Sequence, residues 1–282
     1  MRGKQRYFIE LSFDGANYHG WQIQPNALSV QEVLNKSISV ILRRPIETVG
    51  CGRTDTGVHA RQFFVHFDAD GLIIEGSSSM ANDTHTSLIS SDSRDDNTLV
   101  CESITINQST FLRSLNSILP KDIAVHRIFP VPESAHARFD ATLRTYEYHV
   151  HFNKDPFKNG YSWELRDGLD IGLMNKAAMI MMEYKDFSCF SKSNTQVKTN
   201  LCKIVKAEWI KKTDGIVFQI SADRFLRNMV RAIVGTLLMV GKHEIAPEKV
   251  REVIESKNRS NAGTSVPACG LFLTRVKYPL TP

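Results

Sequence analysis

No stretch of this chain is apolar for long enough to form a transmembrane helix, and its 5 cysteines include no C-x-x-C pair. The first absence excludes membrane-spanning α-helices and, with them, a membrane partner of that kind. The second, with an odd number of thiols scattered at Cys51, Cys101, Cys189, Cys202 and Cys269, argues against a disulfide framework and a structural zinc site. Buried reduced thiols are expected instead. Met1-Arg2-Gly3-Lys4-Gln5-Arg6 leads directly into a strand-like pattern without the apolar core of a signal peptide, so a cytoplasmic protein is expected. His19, His59 and His66 match no zinc spacing, which favours structural roles and predicts no metal.

What the chain does contain is the composition of a soluble globular protein: 282 residues, 42% hydrophobic and 23% charged, enough for one large domain or two ordinary ones. Its net charge of +5 is unevenly spread. Between Gly71 and Glu102 stand Glu75, Asp83, Asp92, Asp95, Asp96 and Glu102 against the single base Arg94, a local charge of −5, so the rest carries +10. A basic body suits a polyanionic partner, with nucleic acid ahead of membrane because no basic amphipathic anchor is present. Residues 71–97 are rich in Ser, Asp and Asn, which predicts an insertion or mobile loop.

Periodicity supplies the elements. Tyr7 to Phe13 alternates as a strand and stops at Asp14-Gly15. A Ser29-x-x-Glu32 capping box opens a helix with Val30, Val33, Leu34, Ile38, Ile41 and Leu42 at helical spacing. Strands are expected over Ile46–Val49, Gln62–Phe67 and Ile123–Phe129, with a helix over Thr110–Leu119. From Arg144 to Phe152, Tyr146, Tyr148, Val150 and Phe152 share one strand face. A Met-rich helix over Ile171–Met182 precedes a hairpin of Leu201–Ile210 and Ile216–Ser221 around Thr213-Asp214-Gly215. Phe225 through Leu238 forms the strongest apolar helix, with Gly241 as its C-terminal cap, and Pro247 opens a short helix through Glu255. Gly270 to Tyr278 is a closing strand. Two α+β halves, 1–140 and 141–282, are the simplest account.

The densest chemistry lies in Gly50-Cys51-Gly52-Arg53-Thr54-Asp55-Thr56-Gly57-Val58-His59-Ala60. On extended backbone Arg53 and Asp55 share a face while Thr54 points away, so guanidinium and carboxylate address one ligand together. A carboxylate beside an arginine is held ionised, making Asp55 a candidate nucleophile or base. Asp55-Thr56-Gly57 is also the tripeptide of aspartic proteases, but no second Asp-Thr-Gly or Asp-Ser-Gly exists to complete a dyad, and Arg53 opposes the raised pKa such a dyad needs. Gly50-x-Gly52 lacks the third glycine of a dinucleotide loop, and Asp55 would repel a pyrophosphate. By pattern alone Tyr146 is as readily a core aromatic as a site residue, and Arg231 as readily a surface arginine as a phosphate- or site-facing one.

The stretch from Gly50 to Ala60 resembles the catalytic signature of the TruA-type tRNA pseudouridine synthases, and three further stretches resemble that family in order. These are Asp14-Gly15 through Tyr18-His19-Gly20-Trp21-Gln22 and Gln24-Pro25, then Ala137-Arg138-Phe139 with Tyr146-x-Tyr148, then Asn228-Met229-Val230-Arg231 with Gly235. The insertion falls outside the resemblance, and Cys51 and Thr56 stand where the family usually has alanine. The resemblance implies an α+β fold of two ferredoxin-like halves with antiparallel sheets joined around a central cleft. It implies an isomerase of uridines in the tRNA anticodon stem-loop, working without cofactor, as a homodimer that embraces tRNA. It makes Asp55 the essential carboxylate, has Arg53 help extrude the base and Tyr146 stack on or deprotonate it, and pairs Arg231 with Asp55. Leu271 suits an apolar wall for the flipped base. A non-catalytic RNA-binding module on the same ferredoxin-like scaffold is the alternative.

Overall fold

Strand β1 (Lys4–Phe13) begins the computed structural model, which describes residues 4–75, 104–166, 168–191 and 199–279. Helix α1 (Val30–Leu42) follows, with Ser29 as N-cap accepting from the Glu32 N–H at 3.2 Å. Only half of the expected reciprocal box forms, because the Glu32 carboxylate pairs with Lys36 one turn on, at 2.6 Å. Val30, Leu34, Ile38 and Leu42 make the buried stripe. The strand expected over Ile46–Val49 is reduced to β2 (Val49–Gly50), while β3 (His59–Asp70) is longer than its alternating core.

The remnant of the acidic stretch pairs. β4 (Leu72–Glu75) runs parallel to β5 (Ile104–Asn107), a two-stranded unit with no periodic trace in the sequence. The rest of the expected insertion, 76–97, lies outside the described residues. Helix α2 (Gln108–Ile118) is capped by Asn107 and precedes β6 (Ile123–Val131), β7 (Leu143–His151) and the short β8 (Trp163–Glu164). Helix α3 (Ile171–Met181), the hairpin β9 (Ile204–Lys212) and β10 (Gly215–Ala222), α4 (Met229–Gly241), α5 (Lys249–Glu255) and β11 (Leu271–Lys277) complete the second half.

The structure corrects the limits of α4. Asn228 takes a left-handed conformation, φ 65°, so the chain turns before the helix and leaves Phe225 and Leu226 in the preceding loop. Gly241 is the last helical residue, and its missing side chain admits the Met174 thioether of α3.

The strands other than β4 and β5 form one mostly antiparallel sheet in the order β6-β1-β3-β11-β7-β10-β9, with β2 on β3 and β8 on β7. This is a mixed α+β architecture. The halves meet where β11 pairs antiparallel with β7 and parallel with β3, Phe272 opposite His59 and Leu273 opposite Ala60. Two apolar clusters flank that seam: one holds α1, α2 and the strands around β1, the other α3, α4, α5 and the β7-β10-β9 strands. They interdigitate, since Val58 packs into the second cluster and Leu273 and Val276 into the first.

His59 closes the seam. Its ring is 2% exposed and stacks on Phe272 with centroids 4.6 Å apart. Nε2 lies 3.1 Å from the Gly160 carbonyl and 3.2 Å from that of Cys269, while Nδ1 lies 2.8 Å from Asp14 Oδ1 and 3.1 Å from the Gly15 nitrogen. Burial alone would raise the Asp14 carboxyl, but the Tyr161 hydroxyl, the Ala16 N–H and His59 together bring it below the usual carboxylate range.

Candidate active site

The loop between β2 and β3 carries Asp55 and is pinned by backbone contacts at every third residue. Cys51 N–H donates to Phe64 O at 2.7 Å, Trp21 N–H to Thr54 O at 3.4 Å, and Gly57 N–H to Tyr18 O at 3.3 Å. A turn closes at Val58 N–H to Asp55 O, 3.2 Å. Arg53 is exposed, Thr54 buried and Asp55 half-buried, the alternation expected of extended backbone, and all three line a cleft of about 910 Å³.

Both halves line that cleft. The first supplies the turn from His19 to Gln24 and residues 53–56; the second supplies Arg227, Asn228, Arg231, Arg259 and Ser265. Four guanidiniums therefore line the cleft around one carboxylate, a balance that attracts an anionic ligand. Arg231 Nη1 stands 3.9 Å from Asp55 Oδ2 and Arg227 Nε 3.6 Å from Oδ1. These separations lie beyond hydrogen-bond length, so neither oxygen of Asp55 is engaged by a donor among the described residues. The carboxylate is flanked by charge yet its lone pairs are open.

Arg231 is itself held in place. It lies on the first turn of α4, its Nε donates to Val266 O at 2.6 Å, and its exposure is 21% against 57% for Arg227. Arg259 donates to the carbonyls of Ala262 and Gly263 and, at 2.9 Å, to Ser265 Oγ, which also accepts from Asn228 Nδ2. These contacts fix one wall of the cleft.

Of the residues singled out in sequence, Asp55, Arg53 and Arg231 meet at the cleft. Arg53 is exposed and makes no ion pair among the described residues. Tyr146 lies on β7 behind them, its ring edge-on to Phe225 at 5.2 Å. Burial drives its phenol well above the ordinary range, with the Asp55 carboxylate adding in the same direction, which keeps the hydroxyl protonated near neutral pH. Leu271 is 5% exposed, opens β11 opposite Tyr148 and belongs to the second apolar cluster, outside the cleft lining. Arg227, Arg259 and Ser265 were not singled out as site residues. Arg227 could have been found from the crowding of Arg224 and Arg227 before Asn228; Arg259 and Ser265 reach the cleft by tertiary folding alone.

A family model described as tRNA pseudouridine synthase matches residues 184–279. Over nearly its whole length the chain is similar to curated proteins called tRNA pseudouridine synthase A. That of Bacteroides fragilis is 45% identical, covering 98% of this chain and 97% of the relative. That of Bacteroides thetaiotaomicron is 47% identical, covering 98% and 91%. The similarity reaches the Clostridium acetobutylicum protein at 34% identity, over 96% of this chain and 98% of the relative.

Proposed function

We propose, from the premise that this chain belongs to the tRNA pseudouridine synthase A family, that it isomerises uridines of the tRNA anticodon stem-loop through Asp55. Family membership makes it an isomerase acting on tRNA; the choice of stem-loop and the role of the carboxylate are our reading. The observation that carries this reading is a single carboxylate with unengaged oxygens among four cleft arginines. A protein that only bound RNA would gain nothing from an acid there.

The reaction breaks the N1–C1′ glycosidic bond, turns the uracil and joins its C5 to C1′; the C5 proton leaves and N1 gains one. A base stacked in RNA is out of reach, so the nucleotide must be flipped out, at a cost of a few kcal/mol. Arg53, exposed at the cleft, suits extrusion, and Tyr146, with Leu271 on the neighbouring strand, suits the apolar side of a base. Asp55 divides the exchange into two easier steps by adding covalently, either to the sugar or to the ring. Arg231 and Arg227 flank it at 3.9 and 3.6 Å. The chemistry calls for neither redox cofactor nor metal. By the same premise the working unit is a homodimer, which sedimentation at varied protein concentration tests.

Asp55→Asn keeps the shape and removes the nucleophile. It is expected to abolish pseudouridine formation on a tRNA transcript while leaving tRNA affinity within a few-fold. Substantial product from the purified variant would sink the assignment.

A further inference from the structure

Arg144, on β7, spends its guanidinium on main-chain carbonyls. Nη2 donates to Cys51 O at 3.0 Å and Arg138 O at 2.6 Å; Nη1 donates to Ala141 O at 2.8 Å and Asp223 O at 2.7 Å. One buried-side cation thus ties together the catalytic loop, the turn before β7 and the loop before α4. Each of these segments carries an arginine within two residues of the tied carbonyl: the exposed Arg53 and Arg138 and the half-buried Arg224. Among the described residues none of the three makes an ion pair.

The acids on the same segments are already committed. Asp140 accepts from the His136 N–H at 2.7 Å, and Asp223 from the N–H groups of Lys203 and Arg224 at 2.8 and 2.7 Å. Asp55 faces Arg227 and Arg231. The crowding registers on Arg138, whose pKa is lowered by burial and then by Arg53, Arg144 and Arg224. Beside it stands an exposed aromatic: Phe139 is 74% exposed, with the Arg138 guanidinium 5.8 Å from its ring and His136 4.2 Å away by centroids. Uncompensated like charges oppose folding, and a phenyl ring in water gains nothing by itself. A polyanion carrying unstacked bases resolves both, by phosphate contacts and base stacking.

We propose that this rim is a second RNA subsite, in which Arg53, Arg138 and Arg224 take backbone phosphates of the strand flanking the target nucleotide and Phe139 stacks on one unstacked base. The proposal rests on the reading that the cleft takes tRNA. It names where the substrate is gripped outside the reacting nucleotide.

The test is titration of an unmodified tRNA transcript, by fluorescence anisotropy over a series of salt concentrations, with Arg138→Gln, Arg224→Gln and Phe139→Ser, each checked by thermal melting. Each arginine variant is expected to lower the slope of log affinity against log salt by about 0.7 to 0.9. Phe139→Ser is expected to keep the slope and weaken binding about 5- to 150-fold. Parent-like affinity and slope in all three, in a protein whose parent converts tRNA uridines, would overturn the subsite and leave the proposed activity standing. A parent that converts no uridine, with variants that still lose slope and affinity, would overturn the activity and support the subsite.

Discussion

Tyr146 shows how one side chain's surroundings decide between the two roles open to it. A phenol pushed upward by burial is not a base at neutral pH, so of the two proposed roles stacking on the uracil, with the hydroxyl as a donor, is the one its surroundings favour. Tyr146→Phe keeps the ring. It should bind tRNA like the parent and slow the single-turnover rate; an unchanged rate would assign the role to the ring alone. His66 makes the opposite kind of contribution. Buried on β3, it accepts from the Ala137 N–H at 3.1 Å, and burial, followed by Arg6 and His136, pushes its pKa from 6.5 down to about 4. The unfolded imidazole therefore takes a proton first as pH falls. The stability it supports is complete above about pH 6.5 and is lost progressively toward pH 4, to a total of about 3 kcal/mol. Urea midpoints measured across that window should fall with acid in the parent and fall less in His66→Gln. Parallel curves would remove His66 as the cause.

At the scale of elements, helix α4 is placed by a pair of glycines. A side chain at Gly235 would strike the Thr264 carbonyl, and one at Gly263 the backbone of Gly235 and Thr236, so the helix lies backbone to backbone on the segment that carries Ser265 to the cleft and Val266 beneath Arg231. Gly235→Ala gains helix propensity but must force that segment away. A net loss of about 1–3 kcal/mol is expected from overpacking, with a lower melting temperature and a larger fractional loss of turnover than of stability, because Arg231 is anchored to Val266. A variant as stable and active as the parent would show that the contact yields freely. The sequence foretold local features of this kind unevenly. Ser29 and Pro247 mark helix starts because capping and fixed φ act within a turn, and Asp55 with Arg53 stood out because their alternation is local. The beginning of α4 was misjudged since Phe225 continues the apolar spacing, and only the left-handed Asn228 breaks it. Arg144 read as an ordinary strand residue because its partners lie up to 93 positions away.

Across the whole molecule, the α+β class followed from alternating patterns and a family signature. The placing of β11 did not, because strand order is set by long-range pairing that leaves no period in the sequence. Among the described residues, that strand alone joins the pairings around β3 to those around β7. It also follows every other described strand along the chain. Synthesis from the N-terminus thus makes β3 and β7 long before the strand that fills the gap between them, leaving two open edges on the growing chain. Asp55 and Arg231 are brought face to face across that gap, so a nascent protein carries all of its cleft arginines before it has a working centre. Chains ended before Leu271 should accordingly be inactive and sediment as aggregates, whereas a soluble, active product would show that the halves dock without their shared strand. Order of synthesis thus separates charge from architecture: the arginines of the cleft are made early, and the strand that bridges the sheet is made after them.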